Sequence, residues 1–235
     1  MSIVPPIHLW SVAARLTPVP GGARASVFRT NGLDEELVFK TTTRSPEAIH
    51  WLAPVQAAAR ASGFVVPKLL PTRSGRIAEQ GWTCETFLPG EPLPSWELRD
   101  LAPMLQRFHA AARDLPQRPG FLSSQDLVTH SSGGDINLEE VPASIAVEIR
   151  AAFRALDPAP MTVIHGDVTP ANTLRLTDGR IALLDWDEAR RDLPLFDFQT
   201  LRSESESEKR ACLAWEIACC WQKEPARAAY LAAQL

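Results

Sequence analysis

Two stretches concentrate the side chains able to do chemistry: Val163-Ile164-His165-Gly166-Asp167-Val168-Thr169-Pro170-Ala171-Asn172 and Ile181-Ala182-Leu183-Leu184-Asp185-Trp186-Asp187. Between them Asp178-Gly179 is a strong signal for a two-residue hairpin turn, because glycine adopts the positive φ that such turns demand. If those two residues form the loop, Thr177 pairs with Arg180, and counting back sets Asn172 opposite Asp185. Residues paired across adjacent strands lie about 4.5–5.5 Å apart at Cα. An amide oxygen and a carboxylate then converge at the open end of one hairpin, a donor set that suits a hard cation such as Mg²⁺. Asp167 begins the loop that feeds this hairpin, five residues before Asn172. It reaches the same place without being a ligand, as a base facing a hydroxyl requires. Each acid alone reads as a surface or capping carboxylate; their joint spacing is what argues for a site.

These residues need elements to hold them. Residues 161–164, 173–176 and 180–184 form an island of β signal between helical patterns. Before the island, Leu98, Leu101, Leu105, Phe108, Ala112 and Leu115 recur at spacings of 3, 4, 3, 4 and 3, and Val141, Ile145, Ile149, Ala152, Phe153 and Leu156 repeat the pattern behind Pro142. Both are one-faced helices. Leu213, Ile217, Cys220 and Trp221 mark a last helix. The first 90 residues read differently. Residues 25–30 and 36–40 are β-prone and separated by Asn31-Gly32, and short strands follow around 65–70, 75–78 and 82–87. Ser45-Pro46-Glu47 starts a helix that Pro54 should kink or break and Gly63 should end. The run Ser203-Glu204-Ser205-Glu206-Ser207-Glu208 reads as a solvated loop or a helix start.

Whole-chain properties exclude several classes. With 45% hydrophobic and 22% charged residues the chain is that of a globular protein. A net charge of −4 and no basic run longer than two residues argue against nucleic acid as a partner. No stretch approaches the roughly 20 apolar residues of a membrane span, and the N-terminus has no signal-peptide pattern, so a cytoplasmic location is expected. Cys84, Cys212, Cys219 and Cys220 include no C-x-x-C pair and are expected as buried thiols.

The spacing D-x-x-x-x-N, followed by an Asp after a short hairpin, matches the kinase catalytic loop. The His165-Gly166-Asp167 form and the Leu184-Asp185-Trp186-Asp187 end resemble the aminoglycoside phosphotransferase and choline kinase family, which has a protein-kinase-like fold. The resemblance covers about residues 15–200 and is strongest over 161–197. It implies an α+β, two-lobed fold, with a β-rich N-lobe over residues 1–88 and a mainly helical C-lobe, bearing a small β-hairpin insert, over 89–235. It also implies Asp167 as catalytic base, Asn172 and Asp185 as metal ligands, His165 as a support for the loop, and Asp187 as an aid to metal or acceptor binding. Asp192-Leu193-Pro194-Leu195-Phe196-Asp197 resembles the family's D-P-x-x-D stretch, whose second acid braces the catalytic loop.

For the nucleotide, phosphates need backbone N–H groups and a cation. Gly21, Gly22 and Ser26, at a strand-to-strand turn, are candidates for the first, and Lys40, at the end of a strand, for the second. No G-x-x-x-x-G-K-[ST] occurs, which excludes a P-loop kinase. Glu85-Thr86-Phe87-Leu88 falls where the family's interlobe linker lies, so Glu85 and Phe87 are expected to offer backbone groups to adenine, with Val27, Val38 and Phe87 as apolar walls. One departure stands out. Kinases of this fold pair the lysine with a Glu from the first helix, yet here only Glu47 is available, so either Glu47 serves or the pair is absent. His109 reads as a packed core histidine. Asp187, Glu188 and Asp192 would suit a cationic acceptor, and Trp186, Trp96 or Trp215 could stack on it. Because only residues 198–235 follow Asp197, a small or open acceptor site is expected. The reading is an ATP-dependent, Mg²⁺-assisted phosphotransferase acting on a hydroxyl of a small molecule such as an amino sugar, amino alcohol or sugar. Its rival is a nucleotide-binding pseudokinase acting as a regulatory or scaffold module, favoured by the missing helix Glu, Pro54 and the short tail and opposed by the joint presence of Lys40, Asp167, Asn172 and Asp185.

Overall fold

The computed structural model describes residues 4–20, 25–199 and 205–235. Its N-terminal part is an antiparallel sheet. β1 (Arg15–Pro18), β2 (Val27–Asn31) and β3 (Leu37–Thr41) are successive neighbours, followed by α1 (Pro46–His50) and α2 (Leu52–Ala61). β4 (Leu69–Leu70), β5 (Ala78–Glu79) and β6 (Trp82–Thr86) complete it, with the order β1-β2-β3-β6-β4 and β5 also on β6. Strand alternation sorts β3. Leu37 and Phe39 are buried in a cluster with Trp10, Trp82 and Cys84, while Val38 and Lys40 take the opposite face. The β3–β6 register sets Val38 opposite Glu85 and Lys40 opposite Thr83, so these four side chains share that face.

Ser45 caps α1 by accepting the Ala48 N–H at 3.2 Å, and Pro46 lies in the first turn. α1 and α2 are separate segments broken at Trp51, as expected where Pro54 offers no N–H to the His50 carbonyl. β7 (Gly90–Pro92) leads into the helical part, where the pattern starting at Leu98 folds as a 3₁₀ segment over Ser95–Leu101 and then α3 (Ala102–Ala111). Pro103 explains the division, since it can enter a helix only in its first turn. β8 (Ser132–Gly133), β9 (Ile136–Asn137) and α4 (Ala143–Arg154) follow. Next come β10 (Thr162–Ile164), β11 (Thr173–Leu176), β12 (Ile181–Leu183), β13 (Arg190–Asp192) and α5 (Leu195–Phe198). The described chain ends with α6 (Glu206–Cys220) and α7 (Pro225–Ala232). β10 pairs with β13, whereas β11 lies between β12 and β7. Of the serine–glutamate run, Ser203 and Glu204 lie outside the described residues, and Ser205 forms a capping box with Glu208 at the start of α6.

One apolar core joins Trp51, Leu52 and Val55 of the α1–α2 region to Leu105 and Phe108 of α3 and to Trp186, so it crosses the expected boundary at residue 88. A second core packs α4 against α6 through Ile149, Phe153, Trp215 and Ile217, with Phe196 of α5 beside them. All four cysteines are buried free thiols, and burial together with Glu85 pushes the Cys84 thiol up to about 12. Among the described residues no helix is long and apolar enough to cross a membrane.

Candidate active site

β10 ends at Ile164 and the chain turns sharply at Gly166, whose φ is +86°. A Cβ there would meet the Glu188 carbonyl oxygen at 2.7 Å and Arg190 Nη1 at 2.8 Å, so only glycine fits. The turn is held from below by Asp197 at the start of α5, a fully buried carboxylate. It accepts the His165 N–H at 2.9 Å, the Gly166 N–H at 2.7 Å and His109 Nε2 at 2.8 Å. Burial alone would raise its pKa; His109, His165 and the Gly166 N–H outweigh burial and keep it below the ordinary carboxylate value. His109 is therefore more than the packed residue expected from its place beside Phe108. Its sequence neighbourhood carries only a helix pattern, and its role depends on a partner 88 residues away.

His165 is buried with both ring nitrogens engaged. Nδ1 accepts the Asp167 N–H at 3.2 Å and Nε2 donates to the Leu184 carbonyl at 2.7 Å, which settles its tautomer. The ring thus ties the loop to the end of β12. Asn172 donates its amide N–H₂ to the Asp167 carboxylate, at 2.6 Å from Oδ2, and to the Asp167 carbonyl at 3.1 Å.

The hairpin register differs from the expected one by a residue. Thr173 pairs with Leu183 and Arg175 with Ile181, and the Leu176 N–H reaches the Arg180 carbonyl, so three residues, Thr177, Asp178 and Gly179, form the loop. Gly179 takes the positive φ of a three-residue hairpin loop. Asn172 consequently stands opposite Leu184, whose N–H it accepts at 2.8 Å. Asp185 lies one residue further, in the left-handed region at φ 56°, and this backbone turn aims it at the cleft.

Lys40, Asp167, Asn172 and Asp185 all line one cleft of about 590 Å³. Lys40 Nζ lies 2.9 Å from Glu85 Oε1 and 3.8 Å from Asp185 Oδ1. Burial pulls its pKa down, but Glu85, Asp185 and Asp187 more than offset this and hold it above the ordinary lysine value. Glu47 is exposed at the start of α1 and engaged with Ser45 and its own backbone, so the helix acid does not serve Lys40. The partner is Glu85, which lies within β6 rather than in a linker. The Thr86 and Phe87 N–H groups are likewise given to the Lys68 and Glu36 carbonyls, leaving neither for an adenine edge. Phe87 is not part of the cleft lining, and Arg29 stacks over its ring at 3.7 Å. Val27 lines the cleft. Ser26 is exposed, with its N–H on Thr41 Oγ1 at 2.9 Å, and Gly21 and Gly22 lie outside the described residues.

Several acceptor-side expectations change. Both oxygens of Asp187 are taken by Arg44, from Nε at 3.0 Å and Nη2 at 2.8 Å, and Arg44 also grips Asp135. Arg118, buried nearby, donates to the Trp186, Asp187 and Ala189 carbonyls, and burial draws its pKa down to about 10. Asp192 is fully buried and holds Ser124 and Arg190, so it cannot meet an acceptor. Trp186 is packed in the core with its indole N–H on the Leu183 carbonyl, and Trp96 is exposed away from the cleft. Trp215 does line the cleft, beneath the Arg190 guanidinium. The far wall comes from α6 and α7 and brings Glu216, Glu224 and Arg227 beside Glu188.

Among the described residues no group of three or more His, Cys, Asp or Glu is poised for a metal. Mg²⁺ does not need one, because it is commonly held by one or two carboxylates, phosphate oxygens and water. Asn172 spends its N–H₂ on Asp167, which leaves its amide oxygen, and with the half-exposed Asp185 carboxylate this makes a hard donor pair that fits.

The sequence model of the phosphotransferase enzyme family matches residues 15–235. No curated protein matches in sequence. Solved structures do in fold. A microcompartment-associated aminopropanol kinase aligns with TM-score 0.66 at 16% identity, over 97% of this chain and 92% of its own. A spectinomycin phosphotransferase solved with ADP and spectinomycin gives 0.58 at 10%, over 97% and 91%. An aminoglycoside phosphotransferase from Alicyclobacillus acidocaldarius gives 0.55 at 16%, over 100% and 97%.

Proposed function

The chain belongs to the phosphotransferase enzyme family and is a small-molecule kinase; on that premise we propose that it moves the γ-phosphoryl group of ATP to a hydroxyl of a small amine-bearing molecule. The observation that carries the reading is the convergence of Lys40, Asp167, Asn172 and Asp185 on one cleft. Residues up to about 88 would hold the nucleotide, with Lys40 facing its phosphates as a fixed positive charge. Residues 89–235 would supply the catalytic loop and the acceptor wall. Asp167 sits at the head of that loop, held by Asn172 and His165. There it orients the acceptor hydroxyl and takes its proton as the oxygen attacks the γ-phosphorus, while the bond from that phosphorus to the β–γ bridging oxygen breaks and ADP leaves. Asn172 and Asp185 would hold Mg²⁺, which when bound neutralises phosphate charge. Positioning and charge neutralisation then account for most of the acceleration.

The acceptor wall favours an amine. Glu188, Glu216 and Glu224 face the cleft, and among the described residues the one cation on that wall, Arg227, is paired with both Glu216 and Glu224. The decisive experiment measures ATP consumption with Mg²⁺ against amino alcohols, amino sugars and neutral sugars. Turnover confined to amine-bearing acceptors is expected; turnover of neutral sugars alone would refute the acceptor class.

A further inference from the structure

We propose that Glu85 is the positioning residue for Lys40, performing from the adjacent strand the task that a carboxylate on the first helix performs in other kinases of this fold. The inference deepens the reading of Lys40 as the phosphate-facing cation. Three observations lead to it. Glu85 Oε1 lies 2.9 Å from Lys40 Nζ, and both side chains are largely shielded, at 16% and 22% exposure. The other carboxylate within reach, Asp185, is at 3.8 Å and belongs to the donor pair that fits Mg²⁺. The helix region offers no carboxylate in exchange. Glu47 is turned to its own helix start, and the α1 and α2 residues that line the cleft, Ile49, Leu52 and Gln56, are two apolar side chains and a buried neutral amide.

The register explains why a strand can do this. Val38 is opposite Glu85 and Lys40 opposite Thr83, so Glu85 is the diagonal neighbour of Lys40 on the same face. Diagonal neighbours on a sheet are within reach of long side chains. β3 and β6 are interior strands of the sheet, each hydrogen-bonded on both sides, so the pair rides on a rigid base. A lysine held by a helix loses its partner when that helix shifts. Here α1 and α2 are split at Trp51 and carry no part of the pair, so Lys40 stays oriented whatever they do. The nucleotide phosphates meet a preorganised ammonium, and less ordering remains to be done on binding.

Glu85→Gln tests this, because it keeps size and hydrogen bonding while removing the charge. Two readouts separate positioning from a structural role. The first is affinity for Mg·ATP and for adenosine by calorimetry: a loss of about tenfold or more is expected for ATP, as for removal of a charge-assisted bond, with adenosine unchanged. The second is the same substitution in a Lys40→Ala background, where a residue that acts through Lys40 has nothing left to position and should cost no further ATP affinity. Should Glu85→Gln fold poorly, Glu85→Asp, which keeps the charge and shortens its reach, carries the same two readouts. A variant in which ATP and adenosine weaken together overturns the proposal, as does an equal further loss of ATP affinity in the Lys40→Ala background, or a Glu47→Gln control that weakens ATP as much as Glu85→Gln. Unchanged ATP affinity in Lys40→Ala itself would instead remove Lys40 from the phosphate site.

Discussion

Replacing Asp197 by Asn should destabilise the protein more than any comparably small change on its surface. The carboxylate is fully buried and accepts from three donors: the His165 N–H at 2.9 Å, the Gly166 N–H at 2.7 Å and His109 Nε2 at 2.8 Å. Asparagine has one acceptor oxygen, and its N–H₂ would be forced against at least one of these donors. Leaving a buried donor without its acceptor costs about 1–3 kcal/mol. For a chain of this length each kcal/mol moves Tm by about 2–4 °C, so a fall of roughly 2–12 °C is expected by calorimetry at pH 7. The pH dependence has a definite sign. Asp197 is held below its ordinary value, so between the folded and unfolded values the unfolded chain binds more protons and stability rises with pH. That contribution is present above about pH 4, the unfolded carboxylate value, and is lost as pH falls through the lower folded value. The gap between parent and Asp197→Asn should therefore narrow in acid. A double-mutant cycle with His109→Gln should show coupling of about 0.5–3 kcal/mol. A Tm within about 2 °C of the parent, or a gap constant down to acid unfolding, would refute the brace.

Asp185→Ala should abolish most of the Mg²⁺ dependence of ATP affinity, read by titrating ATP with and without the metal; equal affinities in the parent protein would remove Asp185 and Asn172 as ligands. Lys40→Ala should weaken ATP far more than adenosine, and equal weakening would make Lys40 a structural residue of the sheet. Gly166→Ala, at φ +86° and with a Cβ 2.7 Å from the Glu188 carbonyl, should cost at least about 2 kcal/mol in denaturant unfolding; a stability equal to the parent would mean that the turn can relax.

The proposed site was legible in the sequence because its loop and hairpin are local: Asp167, Asn172 and Asp185, which line one cleft, lie within 19 residues, and β strands with tight turns advertise themselves. What the sequence concealed is set by contacts between distant segments. Glu85 meets Lys40 only through the β3–β6 register, and Arg44 takes Asp187 from 143 residues away. β13 has no apolar alternation, because its buried Arg190 and Asp192 pair with one another at 2.8 Å and Arg190 stacks on Trp215; such a strand reads as surface. The one-residue slip in the hairpin arose where Asp178-Gly179 serves equally as a two-residue loop or as the end of a three-residue one. The missing helix acid looked like a loss of catalytic equipment, and the Lys40–Glu85 pair removes that argument for a silent protein.

The central claim, that Asp167 is the base of a working phosphotransferase, is tested most directly by Asp167→Asn. The substitution keeps size and most hydrogen bonding, including room for the Asn172 contact, but removes the basic carboxylate. General-base assistance is worth about 10²–10⁴-fold. With affinity for Mg·ATP measured by calorimetry and product formed on the acceptor found in the panel, the variant should bind nucleotide as the parent does and transfer phosphate at least about a hundredfold more slowly. Unchanged turnover with unchanged nucleotide affinity would show that Asp167 is not the base.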